Sequence, residues 1–259
     1  MQIISFTAND APVTGYLQDD HDRLVAHKTR PAVIICAGGC YRWLSPREKD
    51  PVALAFAAMG YQTFLIEYST GERAANYRPL RELAETVRTM RARAAQWHIE
   101  PQHIAVLGFS AGGHLAASLG VLWNDAELSL GEACRPDALV LCYPVVTMGE
   151  FAHRESADNV TGGDPALIEK LSLEHHVTSR MPPAFVWHCV DDESVPVENT
   201  LLLTTAMQRA GVPYECHLFA GGAHGISMCD QEVETPYPAI AEWVPLCKNW
   251  LNQQFQFTP

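Results

Sequence analysis

A chain of 259 residues with 47% apolar content fits one large α/β domain or two small ones, with a sizeable core, and is too apolar to be disordered. The net charge of −12 and the lack of any basic stripe make nucleic acid and acidic membrane surfaces poor partners. Met1-Gln2-Ile3-Ile4-Ser5 has neither the charged nor the apolar region of a signal peptide. No apolar run approaches the roughly 18 residues of a membrane span.

Residues 1–28 hold two strand-like pieces, Gln2 to Thr7 and Val13 to Leu17, and a polar turn, Gln18 to Arg23, which reads as an antiparallel edge. Ala32 to Cys36 is a continuous β-branched run, the signature of a strand buried on both faces. It ends in Ala37-Gly38-Gly39-Cys40-Tyr41. Ser45-Pro46-Arg47-Glu48 has the form of a capping box, opening a helix to about Met59. Tyr61 to Tyr68 is the next strand. Pro79 opens a long helix with Leu80, Leu83, Val87, Met90, Ala94 and Trp97 on one face and Arg81, Arg88, Arg91 and Arg93 on a solvated one.

His103 to Leu107 is a strand running into Gly108-Phe109-Ser110-Ala111-Gly112-Gly113, after which His114 to Leu122 is helix-like. Strand, sharp turn, helix, with serine at the apex and glycine two positions either side, is the nucleophile-elbow pattern. No Gly-Lys-Ser/Thr follows, which argues against a phosphate loop. Ala138 to Cys142 is a strand. Residues 145–183 break the rhythm and read as a small cap with a short helix at Pro165 to Leu171. Ala184 to Cys189 and Tyr214 to Phe219 are strands, Val197 to Ala210 a helix, and Pro238 to Phe255 a terminal helix with Trp243, Leu246, Trp250 and Leu251 facing the core. The alternation predicts a mostly parallel sheet with helices on both faces.

A serine hydroxyl needs a base, and the base an orienting carboxylate. Asp191-Asp192-Glu193 follows one late strand, and Gly221-Gly222-Ala223-His224-Gly225 follows the last. His224 alone among eleven histidines follows the last strand in a flexible loop. The backbone N–H of Ala111, at a helix start, and those of Gly39 and Cys40, in the turn after the first buried strand, are the expected oxyanion donors. His114, one turn past Ser110, is a candidate substrate contact. Tyr41 and Trp43, just after the donors, are candidate walls of a short acyl slot. His98, His103, His188 and His217 read as structural. His175-His176 lacks a carboxylate or thiol at ligand spacing, so no metal or cofactor is implied. The eight scattered cysteines form no C-x-x-C pair and read as buried reduced thiols of a cytoplasmic protein.

These pieces resemble the α/β-hydrolases of the acetylesterase group, which includes acetylxylan-esterase-like enzymes and is related to the hormone-sensitive-lipase-like esterases. The matching segments are 37–41, 108–116, 187–199 and 222–225, within residues 31–253. Ala37 and Cys40 depart from the lipase-like H-G-G-G motif, though a backbone N–H survives either change. The resemblance selects Asp192, three residues before the valine of Val195-Pro196, as the carboxylate. It implies an α/β-hydrolase fold in a single domain, 1–259, with the cap at 145–183. The implied activity is that of a serine carboxylesterase acting on short-chain acyl esters, acetyl groups on sugars among them, through Ser110, His224 and Asp192. A prolyl-oligopeptidase-like peptidase is the second reading, for which 30-odd residues before the first buried strand leave no room for a propeller. A non-catalytic hydrolase-fold binding protein is the third, against which an intact Ser, Asp and His argue. The alcohol moiety, the pathway and any homo-oligomer are left open.

Overall fold

Why the chain adopts these elements follows from its two hydrophobic periods: continuous β-branched runs pair as strands and amphipathic runs wind as helices. The computed structural model describes residues 1–19, 28–230 and 233–259. Its strands are β1 (Gln2–Ala8), β2 (Ala11–Leu17), β3 (Arg30–Cys36), β4 (Gln62–Ile66), β5 (Ile99–Phe109), β6 (Ala138–Cys142), β7 (Ala184–Cys189) and β8 (Tyr214–Phe219). Its helices are α1 (Asp50–Ala58), α2 (Arg78–Ala92), α3 (Ala111–Leu122), α4 (Arg154–Thr161), α5 (Pro165–Leu171), α6 (Glu198–Ala210), α7 (Pro238–Ala241) and α8 (Trp243–Gln254).

The strands form one sheet in the order β1-β2-β4-β3-β5-β6-β7-β8. β2 is antiparallel to β1 and β4, and the pairs from β4 across to β8 are parallel. The expected antiparallel edge is therefore β1 with β2, while residues 20–23 of the polar turn Gln18 to Arg23 lie outside the described residues.

Successive strand residues face opposite ways, so the central strands feed two cores. Ile34, Val106, Leu141 and Val186 share one with Leu83, Val87, Leu115 and Leu203 of α2, α3 and α6. Ile35, Leu107, Val140 and Phe185 share the other with Phe56, Trp243, Cys247 and Trp250 of α1 and α8. Helices thus cover both faces. The strand order reverses between β3 and β5: the chain leaves β3 toward β4 on one side and returns to β5 on the other. The carboxyl ends of these two strands open the crevice where open α/β sheets bind ligands, and they carry the Gly38-Gly39 turn and Ser110.

Four local expectations are corrected. The capping box at Ser45 does not form: the Ser45 side chain makes no cap bond, Pro46–Glu48 is a single 3-10 turn, and α1 starts at Asp50. Buried donors claim the Glu48 carboxylate instead. α2 stops at Ala92, yet Ala94 and Trp97 remain in the core as the chain turns through His98 into β5. The α2 arginines do more than meet solvent. Arg81, Arg88 and Arg91 donate to the carbonyls of Leu128, Leu130 and Ala133, pinning the segment before β6, and Arg91 pairs with Asp137 at 2.7 Å. The terminal helix is two pieces, α7 and α8. Pro245 has no N–H to bond the carbonyl of Ala241, which breaks the ladder there. On α8 Trp243, Trp250 and Leu251 are buried as expected, Leu246 is half-buried, and Cys247 joins the core.

Trp243 stacks on Trp187 with ring centroids 5.3 Å apart and donates its indole N–H to the carbonyl of Ser227. Trp243→Ala leaves a large cavity, takes the indole donor from the Ser227 carbonyl and should destabilise the protein by about 3–5 kcal/mol. The urea midpoint should fall with the m-value unchanged; a shift of under about 1 kcal/mol would show that the site collapses around the missing ring.

Candidate active site

Ser110 sits at the end of β5 with φ 53 and ψ −117, a conformation that thrusts its side chain out of the chain path. Such strain persists only where the surroundings over-determine it. Here the Ser110 N–H bonds the carbonyl of Cys142, and the Ser110 carbonyl accepts from Val145 and His114. A methyl on Gly108 would come within 2.1 Å of the Gly112 carbonyl oxygen, and one on Gly112 within 2.1 Å of the Cys36 carbonyl oxygen. Only glycine fits either place, so the two flanking glycines are steric requirements.

The structure brings the three residues singled out for catalysis into one hydrogen-bonded row. His224 Nε2 is 2.8 Å from Ser110 Oγ, and His224 Nδ1 is 2.7 Å from Asp192 Oδ2. Asp192 is buried, whereas Asp191 and Glu193 are exposed. The other Asp192 oxygen, Oδ1, accepts from the N–H groups of Ser194 and Val195, each at 2.9 Å. Burial pushes the Asp192 carboxyl up, but hydrogen bonds from His188 and His224, the His224 charge and the Val195 N–H outweigh it and hold it well below the usual carboxylate range. An ionised carboxylate only accepts, so Nδ1 of His224 carries the proton and Nε2 turns its lone pair to Ser110.

His188, structural on the sequence reading, is also a second histidine beside the same carboxylate. Fully buried, it lies with Nε2 2.9 Å from the Val195 carbonyl and 3.4 Å from Asp192 Oδ2, while Nδ1 meets the Thr200 hydroxyl at 2.8 Å. It braces the loop that holds Asp192. The α/β strand-end rule could have found it, since it lies one residue before the end of β7.

The turn after β3 lies against the nucleophile, a methyl on Gly38 standing 3.0 Å from Ser110 Cβ. Among the described residues no acceptor takes the N–H of Gly39, Cys40 or Ala111. The Cys40 thiol is pushed up to about 11 by burial and then by Glu155, so it stays protonated near neutrality and does not compete as a nucleophile. The expectation that Tyr41 and His114 touch substrate is not met. Both are buried: the Tyr41 hydroxyl meets His114 Nδ1 at 2.8 Å, and His114 Nε2 meets the Leu171 carbonyl at 2.9 Å. Burial lowers the His114 pKa to about 4. The pair locks the turn to α3 and α5 from behind. Trp43 is half-exposed on the same turn.

The segment 145–183 packs beside this turn. Val145, Val146, Met148, Leu171 and Leu173 join the sheet core, while Asn159 of α4 donates to the Cys40 carbonyl and Glu155 pairs with Arg42. α4 was not expected from the sequence. His153 caps it, accepting the Ser156 N–H. Burial lowers the His153 pKa, with the His224 charge as the second cause. His175 of the adjacent histidine pair is 3.1 Å from Glu169. Among the described residues no cluster of three or more His, Cys, Asp or Glu could hold a metal ion, and no helix is long and apolar enough to cross a membrane.

The family model BD-FAE matches residues 22–207. The chain is 31% identical over 212 residues to endo-1,4-beta-xylanase B of Butyrivibrio fibrisolvens, covering 78% of this chain and 33% of that protein. It is 31% identical over 204 residues to an acetylxylan esterase of Xylanibacter ruminicola, covering 75% of this chain and 40% of that protein. The chain thus spans well under half the length of these curated relatives. Among solved structures, the acetyl ester-xyloside bifunctional hydrolase of Caldicellulosiruptor lactoaceticus superposes with a TM-score of 0.83 at 35% identity, over 96% of this chain and 89% of the other.

Because Asp192 is held below its unfolded value, its contribution to stability is complete above the usual carboxylate pKa of about 4 and is lost as pH falls through the lower folded value. The urea midpoint followed from pH 7 to pH 3 should therefore fall less in Asp192→Asn than in wild type. Asp191→Asn, at an exposed position, should follow wild type; parallel curves for all three proteins would refute the assignment.

Proposed function

The chain belongs to the BD-FAE family of α/β-hydrolases, among the carboxylic ester hydrolases, and we propose that it is a serine esterase that cleaves short acyl, chiefly acetyl, esters of small molecules, with acetylated sugars as the substrate class. The observation that carries the reading is the unbroken row from Ser110 Oγ through His224 to a buried, ionised Asp192. The acetyl and sugar parts draw support from the names of the acetylxylan esterase and the acetyl ester-xyloside hydrolase.

In this reading His224 Nε2 takes the Ser110 proton as Oγ attacks the ester carbonyl. Asp192 stabilises the imidazolium and keeps the ring in the tautomer that can accept. The negative charge that develops on the carbonyl oxygen meets the N–H of Ala111, at the positive end of α3, and those of Gly39 and Cys40. His224 returns its proton to the leaving alcohol, and water releases the acyl group from Ser110 by the same path reversed. Residues 145–183 serve as a small cap on a single domain. The eight free cysteines, six of them buried, support the reducing cytoplasm as the place of action.

A fluorophosphonate should label wild type at Ser110. Ser110→Ala and His224→Ala should each lose roughly 10⁴ to 10⁶ in kcat on p-nitrophenyl acetate while keeping the wild-type circular dichroism spectrum. A pure variant retaining more than about a tenth of wild-type kcat would overturn the mechanism.

Acyl length gives a further test. Behind the turn, Tyr41, His114, Leu115 and Leu171 close around a cavity of about 10 Å³, room for at most about one water, so no chain can extend there. A methylene left unburied forgoes about 0.8 kcal/mol. kcat/KM on p-nitrophenyl esters should peak at acetate or propionate and fall steeply by octanoate; a rise to octanoate would refute the short-acyl reading.

A further inference from the structure

One buried carboxylate next to the site has no part in the steps above. Glu48 is 2% exposed. Its Oε2 accepts the N–H of Gly38 at 2.8 Å and its Oε1 the hydroxyl of Tyr143 at 2.7 Å. The Tyr143 oxygen in turn accepts the N–H of Ser227 at 2.9 Å, three residues beyond His224. The Tyr143 ring stands edge-on to the His224 imidazole, with centroids 5.0 Å apart.

Gly38 opens the turn whose following N–H groups are free to meet an oxyanion. It lies directly against the nucleophile: a methyl built on it would stand 2.9 Å from the Phe109 carbonyl oxygen and 3.0 Å from the Ser110 Cβ. Through one carboxylate, therefore, the oxyanion side and the base side of Ser110 are tied by three hydrogen bonds. The tie has a second strut, since the Ser227 hydroxyl donates to the carbonyl of Arg47, the residue before Glu48.

A buried carboxylate is a costly way to fill a core, because a well-packed neutral side chain often serves stability as well or better. Burial raises the Glu48 pKa; the Tyr143 and Gly38 hydrogen bonds, and then the charges of His224 and Arg47, oppose the rise without cancelling it. Two donors aimed at its two oxygens call for the ionised form, which alone offers an acceptor to each without a proton of its own to place.

We propose that Glu48 is a positioning residue for the hydrolysis, holding the oxyanion turn through Gly38 and the His224 loop through Tyr143 in register with Ser110. The proposal rests on the esterase reading above. Glutamine at 48 has the same shape and one acceptor. If that oxygen keeps Gly38, the amide N–H₂ meets a Tyr143 hydroxyl that already accepts from Ser227 and whose own proton is left without a partner. The register should loosen while the substrate-binding surface stays as it was, which predicts a kcat effect and not a KM effect.

The test compares wild type, Glu48→Gln, Tyr143→Phe and the double variant on p-nitrophenyl acetate, well below the unfolding temperature of each. Active sites are counted by fluorophosphonate titration, so that a misfolded fraction lowers the count and leaves kcat per site untouched. Glu48→Gln should lower kcat per site by about 10²-fold, the size expected of a misplacement near 1 Å, with KM within about twofold. It also removes a negative charge facing His224, whose other charged neighbours are Asp192 and His153 when protonated, so the acid limb of kcat/KM should move to lower pH. Because both side chains act through one tie, the double variant should be no slower than the worse single one. Wild-type kcat per site with an unmoved acid limb in Glu48→Gln would overturn the proposal, and so would additive effects in the double variant. A folded wild type inert on every ester would instead overturn the esterase reading, and this proposal with it.

Discussion

The organisation of the site depends on a steric constraint between backbones. Turning from β5 into α3 within one residue forces Ser110 into a strained conformation and drives the Gly112 region against the end of β3. That contact sets the distance between the proposed nucleophile and the Gly38-Gly39 turn, because the turn is the direct continuation of β3. The N-terminus of α3 arrives at the same place, bringing the Ala111 N–H and the positive end of the helix dipole. The proposed nucleophile and the proposed oxyanion donors are thereby brought together by the same packed backbones, and side chains then fasten the turn.

The base has no such backbone device. His224 comes from a loop rich in glycine, so side chains must hold it, and two buried carboxylates do so in different ways. Asp192 accepts three hydrogens, from His224 and two backbone N–H groups, and has His188 Nε2 3.4 Å away, and these neighbours overcome the effect of burial. Glu48 has two donors and a raised pKa. The contrast fits their positions: Asp192 must stay charged while a proton arrives next to it, whereas Glu48 needs only to be an acceptor for Gly38 and Tyr143.

The fold was legible because each β-branched run and amphipathic stretch has a single compatible partner arrangement in an alternating chain. The candidates Ser110 and His224 were legible because their motifs encode local geometry, glycines that permit an elbow and a loop that frees a histidine, whereas the choice of Asp192 over Asp191 came from the family resemblance, which places the carboxylate three residues before Val195. What stayed hidden depends on contacts distant in sequence. Ser45-Pro46-Arg47-Glu48 is a valid local pattern for a capping box, and nothing nearby reveals that Tyr143, 95 residues on, will compete for the carboxylate and win. Tyr41 and His114 were placed correctly along the chain, next to the donors and to Ser110, but sequence position does not say whether a side chain faces the crevice or the core. The helix α4 was missed because Arg154–Thr161 is short and polar and takes its stability from the turn it packs against.

The departure of this chain from the glycine-rich form of the oxyanion motif can be understood from the same contacts. Cys40 and Tyr41 both adopt the left-handed conformation, with φ of 59 and 58, where a side chain costs roughly 1–2 kcal/mol per residue. Glycine would relieve that strain and leave the turn free to move. The turn is instead fastened at successive points: the Gly39 carbonyl accepts from Arg42 and Trp43, the Cys40 carbonyl from Asn159, and the Tyr41 carbonyl from Gly71. The Tyr41 side chain is anchored beneath by His114. With about 1 kcal/mol net from each of several hydrogen bonds, these contacts together match or exceed the strain. They fasten a turn that glycine would leave mobile, and in the proposed mechanism its N–H groups are fixed before substrate arrives. Rigidity of that kind favours the transition state, because donors fixed in advance need no reorganisation when the charge develops.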